Sequence, residues 1–169
     1  MTLKQVQMKL GAEQHVLIHL CEKGVIEPDI QQTRGRGIRR EFSHRNLFEF
    51  AVALAVRKYG IPVTTTAAIV RLLRSFERSA QRRMKGFSLL GYLQAPAGES
   101  RILLTLYDGH YMVFSVEVGG VLKSITGFDI VGIMASAGKA IKFDRLDTLP
   151  NDFDSYLMLD LGRLAASVA

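Results

Sequence analysis

Cysteine is almost missing from this chain of 169 residues, and its scarcity excludes two kinds of stabilisation. The one cysteine, Cys21, has no partner for an internal disulfide, and one thiolate is too few for a structural zinc site. A reduced cytoplasm fits this usage, and we expect a cytoplasmic protein. Long apolar runs without charges or glycines are also missing, so we expect neither a signal peptide nor a membrane-spanning helix.

Residues with catalytic chemistry form no recognisable set. The sequence has no phosphate-binding loop, no dinucleotide-binding glycine pattern and no nucleophile with a base at a known spacing. His15 and His19 have the i, i+4 spacing of a metal-binding pair, but Cys21 lies about 200° around the helix from His19. We therefore predict a protein that is not an enzyme and that holds no metal or cofactor.

Positive charge is present in excess, and it is unevenly distributed. The net charge is +6. Residues 1–90 carry sixteen Lys and Arg against seven Asp and Glu, whereas residues 91–169 carry six against nine. This asymmetry predicts an anionic partner for the N-terminal half only.

Apolar residues at helical spacing predict a series of helices in the N-terminal half. A short helix ends at Gly11, and a second spans 12–23. A third runs from an N-cap at Ser43 to Tyr59. A further helix follows, and its periodic arginines between 71 and 82 are typical of a solvated face, although they could also reach DNA or a partner subunit. Cys21 falls on an apolar stripe, where we expect a small core residue.

A basic segment connects the second and third helices. Arg34-Gly-Arg36-Gly-Ile-Arg39-Arg40 places four arginines and two glycines within seven residues. Glycine permits tight turns, and the donor fork of arginine suits phosphate. A solvated basic loop is the plainer alternative, since most surface arginines have no other role. The position between two helices favours a wing that contacts a nucleic-acid backbone.

The C-terminal half changes character to β-rich segments after a glycine- and proline-containing stretch around 86–98, which indicates a linker. Two strand-like runs flank Asp108-Gly109 and predict a β-hairpin, with Asp108 as a turn residue rather than an acid or base. We predict further strands near 128–134 and 156–161, the latter buried, and then a short helix.

The predicted fold class is therefore α+β. An N-terminal all-α domain of winged helix-turn-helix type, residues 1–88, precedes a small α+β domain, residues 95–169, with a mostly antiparallel or mixed sheet. The second domain is expected to serve dimerisation or to bind an effector.

The order of elements in residues 1–75 resembles the winged helix-turn-helix of the MerR family of transcription regulators. The residues that carry the resemblance are Gly11 at the turn, Leu17 in helix two, the segment 22–28 that leaves it, Arg40-Glu-Phe42-Ser43 after the wing, and Tyr59-Gly60-Ile61 at the end of helix three. The resemblance implies DNA binding by helix two and the wing. It also implies a homodimer, with residues 65–85 as the candidate dimerisation helix.

The chain departs from the family's pattern in helix two. The family commonly has an arginine followed by two aromatic residues there, whereas this chain has Ile18, His19 and Leu20. The family's phosphate contact cannot be transferred to Ile18, but the contacts of the wing arginines can. The wing should therefore supply more of the grip on phosphate in this protein.

These observations predict a homodimeric, sequence-specific regulator that binds double-stranded DNA. An excision-type or architectural DNA-bending protein is one alternative, and a ligand-binding C-terminal module with a basic adaptor is another. A small-molecule effector is left open, and no membrane partner is expected. The candidate DNA-binding residues are Gln14, His15, His19, Arg34, Arg36, Arg39, Arg40 and Arg45.

Overall fold

The protein is a mixed α and β chain, described by a computed structural model over residues 1–30, 40–94, 101–109, 111–129 and 152–169. Six helices are present in this part of the chain: α1 Leu3–Leu10, α2 Gln14–Glu22, α3 His44–Lys58, α4 Val63–Arg83, α5 Leu89–Gln94 and α6 Leu161–Ala166. Four strands accompany them: β1 Arg101–Tyr107, β2 Tyr111–Val118, β3 Val121–Asp129 and β4 Tyr156–Asp160.

The chain packs as two compact units. The first comprises Met1–Val70 with Val168, and the second comprises Arg71–Ser167 with Ala169. The division falls inside α4, earlier in the chain than the glycine- and proline-containing stretch used for the sequence-based boundary. In the described residues, the first unit contains helices and the second contains the whole sheet.

The first two helices are set by local signals that the sequence displays. Thr2 caps α1 in a capping box with Gln5, and Gly11 ends it in the left-handed conformation at φ +60°. A residue with a β-carbon is strained at this φ, which explains a glycine at the turn. Helix α2 starts two residues later than predicted and buries Leu17 and Leu20.

Helix α3 confirms the predicted N-cap. The Ser43 hydroxyl accepts a hydrogen bond from the backbone N–H of Asn46 at 3.1 Å. Phe42, directly before the cap, is fully buried, and its ring packs edge-on against Phe50 at a centroid distance of 5.4 Å. This ring pair fixes the direction in which the chain enters the helix. The helix-turn-helix elements are therefore present, while residues 31–39, the predicted wing, lie outside the described residues.

The sheet is antiparallel at each of its three pairings, with strand order β3-β2-β1-β4. The predicted hairpin at Asp108-Gly109 is confirmed, and both residues have positive φ, 47° and 73°. Asp108 also has a role that the sequence did not reveal. Its carboxylate accepts hydrogen bonds from the backbone N–H groups of Asp154 and Ser155, which ties the approach to β4 onto the hairpin turn.

Three predictions for the second unit were wrong in part. The stretch 86–98 contains helix α5 and is not simply a linker, because buried Glu77 caps the helix by accepting a hydrogen bond from the N–H of Leu89 at 2.9 Å. Strand β4 is an edge strand with an exposed Tyr156 rather than a buried strand. Strand β3 begins at Val121, before the predicted strand near 128–134, whose residues 130–134 lie outside the described residues.

Replacing Gly11 with alanine should lower the free energy of unfolding by about 1–2 kcal/mol, since an L residue is strained in the left-handed region. The space around Gly11 is open, so a β-carbon meets no clash and the backbone conformation alone sets the cost. Urea denaturation followed by circular dichroism measures the change. The matched control is Gly11→Asn, because asparagine tolerates this φ, and an equal loss in both variants would contradict the explanation.

Candidate nucleic-acid interface

Helix α2 divides cleanly into a buried side and a polar side. Leu17 and Leu20 are buried at 0% and 1% exposure, whereas Gln14, His15 and His19 are exposed. Positions 14, 15 and 19 lie on one face of a helix with 3.6 residues per turn. The three predicted residues are therefore brought together on an accessible helical surface.

This surface carries little fixed internal structure that would block a partner. His15 Nδ1 lies 3.2 Å from Glu13 Oε2, and both side chains are more than three-quarters exposed. An ion pair this exposed stabilises the protein by at most about 1 kcal/mol, because water screens it. The imidazole can exchange this contact for one with another acceptor or donor at small cost.

Arg40 connects the end of the basic segment 34–40 to helix α2. It is exposed, and its guanidinium lies beside the thiol of Cys21 on α2. The other predicted wing arginines, Arg34, Arg36 and Arg39, lie outside the described residues. The described end of the basic segment is thus next to the helix that carries the exposed histidines.

Cys21 is half-buried, so the expectation of a small core residue holds only in part. Burial raises the pKa of the Cys21 thiol above its ordinary value, and the nearby positive charge and hydrogen bond of Arg40 partly offset this. The thiolate is the reactive form, so the net upward shift keeps this cysteine weakly nucleophilic at neutral pH.

Arg45 occupies a different environment from Arg40. Its side chain is 32% exposed, and its Nε lies 3.3 Å from Oε1 of Glu49, one turn later in α3. Glu49 is 2% exposed, so removing its cationic neighbour would leave a buried carboxylate poorly compensated. The structure therefore commits Arg45 to an internal ion pair, and its predicted contact with phosphate would compete with Glu49.

Asn46 is the residue of this region that sequence reasoning missed. It is fully buried, and its side-chain oxygen accepts hydrogen bonds from the N–H of Asp29 at 2.9 Å and of Ser43 at 3.3 Å. Its side-chain nitrogen donates to the carbonyl of Glu27 at 2.9 Å and to Glu49 Oε2 at 3.0 Å. One signal was available, since a serine N-cap followed three residues later by an amide residue is a capping-box pattern.

The described residues favour binding over catalysis. Exposed donors and acceptors on α2 stand next to a basic segment, and both features suit an anionic, hydrogen-bonding polymer. Within the described ranges no three His, Cys, Asp or Glu side chains form a group that could hold a metal ion. No helix in the same part of the chain is long and apolar enough to cross a membrane.

The second unit contains a pocket of about 270 Å³ next to the sheet. Its charged side chains are paired with one another: Arg101 binds Asp160 at 3.0 Å and Glu117 at 2.9 Å, and Arg163 lies 3.8 Å from Asp160. Burial acts to raise the pKa of Asp160, but hydrogen bonds from the Arg163 N–H and Arg101 outweigh it and hold the pKa below its ordinary value. The network closes the charges on themselves and favours a structural role.

Comparisons with protein-family models and with curated proteins found no match to this chain. Function must therefore be argued from the charge, exposure and hydrogen bonding of its own residues. Those properties single out α2, the basic segment and the buried contacts of Asn46.

Replacing Arg40 with alanine should raise the pKa of Cys21 further, because the guanidinium is the group that lowers it. The pH dependence of alkylation by iodoacetamide measures this, and its midpoint should move to higher pH in the variant. The midpoint is the proper readout, since a change in access alters only the limiting rate. Arg40→Lys keeps the charge and should show a smaller shift, whereas an unchanged midpoint in Arg40→Ala would remove Arg40 from the thiol's surroundings.

Proposed function

We propose that the protein is a sequence-specific DNA-binding transcription regulator that acts as a homodimer. Helix α2 enters the major groove with Gln14, His15 and His19 towards the bases. The basic segment 34–40 contacts phosphates beside the groove. Two copies related by two-fold symmetry bind two half-sites of one operator.

The observation that carries this proposal is the position of Arg40. Its guanidinium lies beside Cys21 of α2, and its backbone directly precedes the residues that lead into α3. The basic segment therefore ends against the helix whose opposite side presents exposed polar residues. A partner that touches this helix would also meet the cations of the segment.

The charge distribution supports a nucleic acid as that partner. Residues 1–90 carry sixteen basic and seven acidic side chains, and four of the basic ones are arginines of the segment. Arginine binds phosphate oxygens through two parallel N–H donors, and a duplex presents phosphates along both edges of its grooves. Helix α2, of nine residues, has the dimensions of a helix that fits the major groove.

The proposal separates two kinds of contact. Phosphate contacts of the basic segment supply affinity and set orientation but carry no sequence information. Gln14 and the two histidines can donate and accept hydrogen bonds at base edges, where sequence is read. Arg45 has a smaller part in this division, because Glu49 holds its guanidinium.

Replacing Arg34 and Arg36 with alanine should weaken binding to every duplex similarly, by roughly tenfold at low salt, because phosphate contacts are insensitive to sequence. The slope of log K against log salt concentration should become shallower by about 0.9 for each phosphate contact removed. Fluorescence anisotropy of a labelled duplex over a range of salt concentrations gives both quantities.

The matched control for this experiment is the double variant Lys58→Ala/Lys85→Ala. It removes the same amount of charge from exposed positions outside the basic segment. Its affinity and salt slope should stay close to those of the wild type. Equal effects in the two double variants would show that net charge alone matters and would contradict a phosphate contact by the segment.

Selection of duplexes from a random library should give an operator with two inverted half-sites, because a two-fold dimer presents two identical reading helices. Gln14→Ala/His19→Ala should relax the preference at particular base pairs, by about 1–3 kcal/mol for each lost bidentate contact. Arg34→Ala/Arg36→Ala should leave the selected sequence unchanged. A selected site without inverted symmetry would contradict the homodimer, and no selected site at all would contradict sequence-specific binding.

A further inference from the structure

The amide of Asn46 joins two stretches of chain that are far apart in sequence. Its oxygen accepts from the backbone N–H of Asp29 and from that of Ser43, and its nitrogen donates to the carbonyl of Glu27. All three partners are backbone groups, so the contacts fix the path of the main chain. One buried side chain therefore holds both ends of the connection between α2 and α3.

A second set of contacts strengthens the same junction. The Ser43 hydroxyl donates to Oδ2 of Asp29 at 2.7 Å, which links the two ends of the connection directly. The backbone N–H of Phe42 donates to the carbonyl of Met1 at 2.8 Å, and the Phe42 ring is fully buried. The connection leaves the folded unit at Asp29 and returns at Phe42 and Ser43, which lie beside the same amide.

We propose that Asn46 is a positioning residue for the grip on DNA: by holding the chain at Asp29 and Ser43, it sets where the basic segment 34–40 begins and ends relative to α2. This inference rests on the proposed DNA-binding function. Asn46 itself is buried and touches no partner. It acts by preorganisation, since a connection whose ends are already fixed loses less conformational freedom when it binds.

The first test compares Asn46→Ala with Val52→Ala. Val52 is a fully buried residue of the same helix that makes no contact with the connection in the described hydrogen bonds, so Val52→Ala controls for loss of stability in α3. Both variants are measured at a temperature where each remains folded by circular dichroism. Asn46→Ala should bind a labelled duplex about tenfold more weakly than Val52→Ala, because apparent affinity falls with the fraction of the protein in the competent arrangement.

Limited trypsin digestion provides a readout that does not depend on DNA. The basic segment offers trypsin cleavage sites at Arg34, Arg36, Arg39 and Arg40. Release of the ends should accelerate cleavage at these sites in Asn46→Ala relative to Val52→Ala. Mass spectrometry of the early fragments identifies the sites. Equal cleavage in the two variants would overturn the inference.

Asp29 supplies a milder pair of variants that leaves the α3 core intact. Asp29→Ala and Asp29→Asn remove the same negative charge, but asparagine keeps an acceptor for the Ser43 hydroxyl. Asp29→Ala should bind DNA more weakly and be cleaved faster than Asp29→Asn. A purely electrostatic effect would make both variants bind more tightly than the wild type and to the same extent, and this outcome would contradict the inference.

The two proposals fail in different ways. If the wild-type protein binds no duplex at low salt, the proposed function is wrong, and the digestion experiment still decides whether Asn46 holds the connection. If the wild type binds and Asn46→Ala binds as well as Val52→Ala, the positioning role is wrong and the DNA-binding function stands. Faster cleavage without weaker binding also counts against the positioning role.

Discussion

The first unit depends on one buried polar interaction, the set of hydrogen bonds around the Asn46 amide. A buried amide without partners destabilises a fold by about 1–3 kcal/mol for each unsatisfied group, so burial of Asn46 requires that its partners be in place. Here its oxygen has two donors and its nitrogen has two acceptors. Satisfaction of all four makes this junction specific, because a shifted chain path would leave polar atoms unpaired in the core.

The same interaction relates the core of the unit to its proposed surface. Glu49 accepts from Asn46 and pairs with Arg45, so the amide, the carboxylate and the guanidinium form one chain of contacts along α3. Leu17 and Leu20 seat α2 in the same unit, and its polar side then faces outward. In the DNA-binding proposal, a rigid reading helix and a basic segment with fixed ends are thus two products of a single packed core.

The sequence predicted those parts of the fold that depend on neighbours within a few residues. The Gly11 turn, the Ser43 cap and the Asp108-Gly109 hairpin all follow from local backbone chemistry, and each is confirmed. Helix α5 was missed because its cap is Glu77, twelve residues earlier, and no local signal points to that carboxylate. The exposed edge position of β4 was missed because an apolar sequence such as 156–161 does not specify strand order.

The candidate site divides along the same line. The exposure of Gln14, His15 and His19 follows from helical periodicity and is confirmed, whereas the environments of the arginines depend on contacts across the chain. Arg40 and Arg45 are equivalent in a count of charges, yet Arg40 is exposed beside Cys21 and Arg45 is half-buried against Glu49. Residue type therefore predicted which side chains suit phosphate, but their burial and ion pairing decide which remain available to it.

This difference has a consequence for the proposed grip on DNA. Moving Arg45 to a phosphate would strip a nearly buried carboxylate of its cation, and the cost of leaving such a charge unpaired opposes the gain from the phosphate contact. Helix α2 has Ile18 where the family it resembles commonly has arginine, so it adds no guanidinium of its own. In the proposal the phosphate contacts thus fall mainly to residues 34–40. Their effectiveness then depends on where the chain enters and leaves that segment, which is the geometry that the Asn46 amide fixes.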